Sequence, residues 1–176
     1  VWEGPVWEFT TTEYLVVDDF ESYSGDEGRE LFNTWLDGYE DPGNGSQVGH
    51  DLPPYVERTA VHSGRQAMPL RYGIDGATHS EASRTFDPVQ DWTRGGASTL
   101  TLYVYGQADN VGGQFTVKVN GVAKAVEVDF AAESWQEVNV DLASLGVDLQ
   151  RVASLALSVE GAASGLVLVD DIRLRP

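Results

Sequence analysis

Carboxylates gather at two points of the chain where apolar runs end: Val16-Val17-Asp18-Asp19-Phe20-Glu21 and Leu168-Val169-Asp170-Asp171-Ile172. Both runs read as strands, whose side chains alternate between two faces. Leu166, Leu168, Asp170, Ile172 and Leu174 share one parity, and Asp19 and Glu21 share parity with Leu15 and Val17. A carboxylate on an apolar face needs a compensating cation, and neither run carries a lysine or arginine on that face. With the first and last strands side by side, Asp19, Glu21 and Asp170 converge. The expected cation is calcium, whose oxygen shell is drawn from carboxylates and carbonyls. The alternative is a pair of solvated strand ends, with Asp18 and Asp171 facing water.

A second set of residues has the chemistry to hold a sugar. A sugar ring offers an apolar C–H face to an aromatic ring and a rim of hydroxyls to planar polar groups. Trp35 and Tyr39 lie in a polar, Gly-rich stretch where no local pattern requires burial. Tyr103 and Tyr105 alternate with Leu100, Leu102 and Val104, so they face away from whatever those residues bury. Arg84 and Asp37 are suited to hydrogen-bond hydroxyls or a carboxylate. A tyrosine is also a good strand former, so packing is the competing reading for each of them. Trp92, after a loop, is assigned to the core, and Trp2 and Trp7 precede the fold.

The elements that must position these residues are short strands. The 176 residues are 41% hydrophobic, enough for one domain with a sizeable core. Residues 14–20, 55–61, 66–73, 81–86, 99–106, 115–119, 122–128, 135–142, 155–159 and 166–174 read as strands. Asn120-Gly121 marks a tight hairpin of type I′, and Asp41-Pro42-Gly43-Asn44-Gly45-Ser46 a turn cluster. Many short strands with Gly/Asn turns and no long helical period predict an all-β antiparallel sandwich, most simply a jelly roll. Residues 14–176 form one domain in this reading, with residues 1–13 an extension or linker.

Composition narrows the function classes. The net charge is −17, and residues 1–50 hold twelve acidic side chains against the single basic Arg29. Such a surface repels phosphate backbones and anionic membranes, so neither nucleic acid nor membrane is an expected partner. It suits an extracellular protein from a salty setting. Cysteine is absent, so no disulfide or thiolate site is available. The opening Val1-Trp2-Glu3-Gly4-Pro5 shows no basic region leading into an apolar stretch, so no signal peptide is expected there. It reads as the middle of something longer.

The order of several segments is familiar. Asp19-Phe20-Glu21, then His62-Ser63-Gly64-Arg65-Gln66-Ala67-Met68, then Ser134-Trp135-Gln136-Glu137-Val138 and finally Gly165 through Val169-Asp170-Asp171-Ile172-Arg173-Leu174 resemble a bacterial calcium-containing jelly-roll carbohydrate-binding module. The likeness is to families 4, 11 and 22, nearest to family 11, and runs from about residue 17 to residue 175. Residues 34–49 resemble a variant found in large secreted proteins of environmental bacteria. The resemblance implies a structural Ca2+ held by Glu21 and Asp170, with an oxygen of Asp19 and backbone oxygens near Ser63 and Arg65. It also implies that the strand bearing Arg71 and Tyr72 crosses a concave sugar-binding face, and that Trp135 is buried.

The resulting expectation is a non-catalytic module that binds polysaccharide on a concave, aromatic-lined face through residues among Trp35, Asp37, Tyr39, Arg71, Tyr72, Arg84, Tyr103 and Tyr105. It is expected to be a monomeric part of a larger secreted or cell-surface bacterial protein. Two rivals stand beside it. One is an adhesion or spacer sandwich without a sugar site, favoured if side chains or loops fill the concave face. The other is a small lyase or hydrolase, which needs paired titratable groups in that groove. Glu127-Val128-Asp129-Phe130-Ala131-Ala132-Glu133 approaches a glycosidase carboxylate pattern, but its last glutamate stands one residue too far on. His50, His62 and His79 are scattered.

Overall fold

The computed structural model describes residues 13–176, so Trp2, Trp7 and nearly all of the proposed N-terminal extension lie outside the described residues. Ten strands build two antiparallel sheets: β1 (Leu15–Asp18), β2 (Gln47–Val48), β3 (Met68–Tyr72), β4 (His79–Gln90), β5 (Thr99–Tyr105), β6 (Gln114–Val119), β7 (Val122–Val126), β8 (Trp135–Asp141), β9 (Val152–Glu160) and β10 (Gly165–Arg175). A six-stranded sheet runs β2-β3-β10-β5-β8, with β1 also paired to β10, and a four-stranded sheet runs β4-β9-β6-β7. The two pack face to face as a jelly-roll sandwich. Val104, Val140, Val167 and Val169 from one sheet and Phe115, Val117, Leu155 and Leu157 from the other fill the core between them.

Local chemistry accounts for most elements. The hairpin at Asn120-Gly121 joins β6 to β7 with both residues at positive φ, 49° and 80°, as the tight turn requires. The Asn120 amide then ties the turn to β9, accepting from the Ala153 and Ser154 N–H groups and donating to the Arg151 carbonyl. Residues 55–61 are not a strand; of that stretch only Glu57 forms a bridge, to Ala67. The stretch leaves the sheet and lies over its outer face instead. β2, two residues long, carries no alternation and was not foreseen.

Alternation fails where the carboxylates are. In β10, Val167 and Val169 face the core, but beyond Asp171 it is Ile172 and Leu174 that do so. The register with β5 shifts between Asp170 and Arg173, and Asp171 has φ 50°. This is a bulge, and one inserted residue exchanges the two faces. Leu166, Leu168 and Asp170 therefore point out of the sandwich, correcting the idea that Asp170 stands on the core face. β1 has a matching shift between Val16 and Asp18, and Phe20 at φ 59° turns the chain inward.

Candidate binding site at the edge of the six-stranded sheet

Asp18, read from sequence as solvated, is the hub of a buried cluster. It accepts hydrogen bonds from the Phe20 N–H (2.9 Å), the Tyr23 hydroxyl (2.7 Å) and the Trp35 indole N–H (2.9 Å). Its counter-ion is Arg84. On β4, Ala82, Arg84 and Phe86 share one parity, so Arg84 enters the sandwich from the opposite sheet and supplies the cation that the first strand lacks. Two expectations fall here. Trp35 is 0% exposed, so its ring cannot serve as a sugar platform, and the Arg84 guanidinium is committed to Asp18. Burial, with Asp18 beside it, pushes the Tyr23 hydroxyl well above its usual range.

The residues read as calcium ligands meet, but through hydrogen bonds. Glu21 accepts from the N–H groups of Arg65 (2.6 Å) and Gln66 (2.9 Å), and from the Arg65 side chain. Asp170 accepts from the N–H groups of His62 (2.9 Å) and Ser63 (3.2 Å). Asp19 accepts from the Glu21 N–H. The end of the first strand, the turn at residues 62–66 and the last strand are thus brought together as the resemblance implies. The turn offers N–H groups, and among the described residues no group of three or more His, Asp or Glu side chains is placed to hold a metal. The donor set is still strongly acidic. Asp171 is buried against His62 and Arg173, and burial together with the Asp171 charge pushes Asp170 up to about 6.

This turn roofs the outer face of the six-stranded sheet. Cross-strand rows run Pro69–Leu168–Tyr105–Trp135 and Asp170–Tyr103–Glu137. The His62 ring lies on Tyr103, and Tyr103 donates to Glu137 (2.7 Å) while accepting from Arg175 (2.9 Å). Tyr103 and Tyr105 do face away from the core, as expected, but Tyr103 is covered. Trp135 is not a core residue. It stands half-buried on this outer face, edge-on to both His62 and Tyr105. What stays open is a pocket of about 420 Å³ between Tyr105, Leu168 and the covering segment. Tyr72, by contrast, faces the core at 2% exposure, and burial, aided by Asp109, pushes its hydroxyl up to about 12. That removes it from the sugar-binding set. Trp92 is a core residue, as read.

A groove of about 640 Å³ lies at the edge, beside β2, and its walls include Phe32, Leu36, Tyr39 and Tyr55. Phe32 and Tyr55 meet edge to face with ring centroids 5.1 Å apart. Tyr55 has φ 68°, a costly conformation for a bulky residue. It is held by Tyr55 N–H donating to Leu52 and by its carbonyl accepting from His50. Asp37 fixes the opposite wall, one oxygen accepting from the Tyr39 N–H (3.0 Å) and the other from the Val48 N–H (2.8 Å). Asp37 is thus a positioning residue as much as a possible hydroxyl acceptor. Gly38 is required beside it, since a Cβ there would lie 1.8 Å from the Asn44 carbonyl oxygen. Arg71 points outward from β3 and pairs with Asp51 (3.3 Å), which lines the groove.

Of the residues read as sugar ligands, Tyr39 and Asp37 line this groove, Arg71 adjoins it, and Tyr105 lines the smaller pocket. Phe32, Leu36, Gln47, His50 and Tyr55 were missed. They sit in a stretch without periodicity, where the signal was only that large apolar residues recur in an acidic loop.

The carboxylate run and the histidines singled out from sequence do not converge in this groove. Glu127, Asp129 and Glu133 are exposed beyond the end of β7. The histidines are separately engaged, His50 with Glu57, His62 with Asp171 and His79 with Glu160.

No protein-family model matches the chain, and no curated protein is significantly similar in sequence. Solved structures are similar in fold. A family 11 carbohydrate-binding module of a cellulosomal cellulase of Clostridium thermocellum superposes with a TM-score of 0.54 at 17% identity, over 94% of this chain and 96% of that one. A family 30 module of another cellulosomal cellulase of the same organism gives 0.50 at 17% identity, over 86% and 89%. An exo-β-agarase gives 0.58 at 17% identity over 81% of this chain, which spans only 25% of the agarase. The described chain has the jelly-roll fold of the family 11 and family 30 carbohydrate-binding modules.

Proposed function

We propose that this domain is a non-catalytic polysaccharide-binding module. The observation that carries the reading is the edge groove, where Phe32, Tyr39 and Tyr55 stand among Asp37, Gln47 and Asp51. Aromatic faces next to planar hydrogen-bonding groups are what a sugar ring requires, and the fold is one that such modules use. The titratable groups of the groove are engaged structurally, Asp37 with the Tyr39 and Val48 N–H groups, Asp51 with Arg71 and His50 with Glu57, which favours binding over catalysis. The test is affinity electrophoresis of the whole chain in gels containing plant or algal polysaccharides. Retardation on one or more is expected, and free migration on all of them would sink the reading.

A calcium ion at the junction of first strand, turn and last strand belongs to the same proposal. Glu21 and Asp170 would supply carboxylate oxygens, with Asp19 and backbone oxygens of the turn around Ser63 and Arg65 beside them. The meeting of these segments supports it, as does the buried Asp170 carboxylate, whose hydrogen-bond partners among the described residues are backbone N–H groups. The ion's role there is structural, fastening both ends of the domain. A secreted or cell-surface setting as one module of a longer bacterial protein completes the proposal, and the acid-rich surface favours it.

A further inference from the structure

Two grooves meet at Tyr39. The first is the 640 Å³ groove beside β2, and the second, of about 340 Å³, runs between the Asp41-Pro42 turn and Ile74-Asp75. Tyr39, Glu40 and Gln47 line both. Tyr39 is 86% exposed, more than any other large apolar side chain among the described residues. Exposure of this kind usually comes with mobility, but here the backbone beneath the ring is pinned. Asp37 bonds the Tyr39 and Val48 N–H groups, and Gly38 N–H donates to Ser46 (3.1 Å to the carbonyl, 3.0 Å to the hydroxyl). Ser46 is in turn fixed to the Glu81 carbonyl on β4 (2.6 Å). The ring stands on a prepared mount, which lowers the ordering cost of binding.

The charges of the two grooves agree. Asp37, Glu40 and Asp51 line the first and Glu40, Asp41 and Asp75 the second; the one cation beside them, Arg71, is paired with Asp51, so the carboxylates outnumber it. Carboxylates accept hydrogen bonds from sugar hydroxyls and repel uronates and sulfates. Each groove also has an apolar contact away from Tyr39, the Phe32–Tyr55 pair in one and Ile74 in the other.

We propose that the two grooves are one tract crossed at Tyr39, and that it holds an internal stretch of an uncharged polysaccharide. This rests on the glycan-binding reading above and extends its β2-edge groove past Tyr39 into the second groove, away from the sheet face that residues 57–66 cover. A tract continuing on both sides of its platform ring takes a chain running through it. Asp37 is the positioning residue, and Tyr39 the contact shared by the two halves.

The test uses the full chain in affinity gels with hydroxyethylcellulose, mixed-linkage β-glucan, galactomannan and agarose, and with the charged polymers carboxymethylcellulose and alginate. Wild type should be retarded by at least one neutral polymer, at low and high salt alike, and more by hydroxyethylcellulose than by carboxymethylcellulose if a glucan is the ligand. Tyr39→Ala should weaken retention about tenfold or more. Tyr55→Ala and Ile74→Ala should each weaken it several-fold, and Tyr105→Ala should leave it unchanged. Partial hydrolysis of the polymer, which multiplies chain ends at constant mass, should not strengthen retention. The Tyr39 and Ile74 side chains are 86% and 37% exposed, so these variants keep the fold.

Wild-type retention by Ile74→Ala with loss only in Tyr55→Ala confines the ligand to the first groove and overturns the inference while the glycan reading stands. Loss in Tyr105→Ala with none in Tyr39→Ala returns the site to the sheet face, with the same result. Preference for charged polymers, or retention abolished by salt, overturns the uncharged ligand. Stronger retention by the hydrolysed polymer overturns the internal one. No retention of wild type on any polymer removes the glycan reading itself, and the inference with it.

Discussion

The imidazole of His62 lies flat on the phenol ring of Tyr103, with centroids 3.5 Å apart and planes inclined by 13°. The stack closes the middle of the sheet face on which a sugar was expected from sequence. It accounts for the 9% exposure of an outward-facing tyrosine. His62→Ala should lower stability by at least about 1 kcal/mol through loss of the stacked pair and of the hydrogen bond to the buried Asp171, seen as a lower urea midpoint. Glycan retention, placed at the sheet edge, should not change.

Asp18 and Arg84 should be strongly coupled. Asp18→Ala leaves the half-buried Arg84 charge without its carboxylate and also orphans the Trp35 indole N–H and Tyr23 hydroxyl. Removing one partner of such a pair costs about 3–5 kcal/mol. Guanidinium unfolding of Asp18→Ala, Arg84→Met and the double variant should show the double change costing much less than the sum of the two singles. Additive losses would mean that the pair is not linked.

Glu57 should give the protein an acid-sensitive component. Burial raises its carboxyl pKa, but N–H bonds from Thr59, Ala60 and Arg58 and the contact with His50 outweigh that, so the net value lies below its ordinary 4.5. A carboxylate depressed in the fold contributes stability above its unfolded pKa and loses it as pH falls through the lower folded value. Glu57→Gln should therefore be less stable than wild type at neutral pH, with the difference shrinking below pH 4.5. A difference independent of pH would show that the carboxylate charge plays no part.

Calcium should raise the melting temperature if the junction holds an ion. A ligand present at a hundred times its dissociation constant adds about 2.7 kcal/mol to stability. EDTA should reverse the rise, and Glu21→Gln should abolish the response. Identical melting curves with calcium and with EDTA would take the ion out of the proposed function.

The fold was legible because its main signals are local. Asn120-Gly121 encodes a turn that only left-handed residues can make, and β5 announces itself by alternating Leu100, Leu102 and Val104. The carboxylate runs misled because alternation is reliable only within an uninterrupted strand. The bulges at Val16/Asp18 and Asp170/Arg173 reset it, and nothing in the local sequence marks them. Trp35 was misplaced for another reason. Its burial follows from Asp18 and, through it, from Arg84 on the other sheet, contacts 17 and 66 residues apart in sequence. Tyr39 was legible as an exposed ring, but its groove partners Phe32 and Tyr55 were not, because the fold alone brings their loops together.

The pairing of β1 with β10 has a mechanical consequence. Leu15 lies opposite Leu174, and Asp18 opposite Ile172, so the chain enters and leaves the domain at the same end of this antiparallel pair. Tension applied through the two ends would load its bonds one after another, as in a zip, and would not shear them all together. The first pairs to part would be the exposed Leu15 and Val16 with their partners. The force would then reach Asp18, where Arg84, Trp35 and Tyr23 act as a clasp between the two sheets.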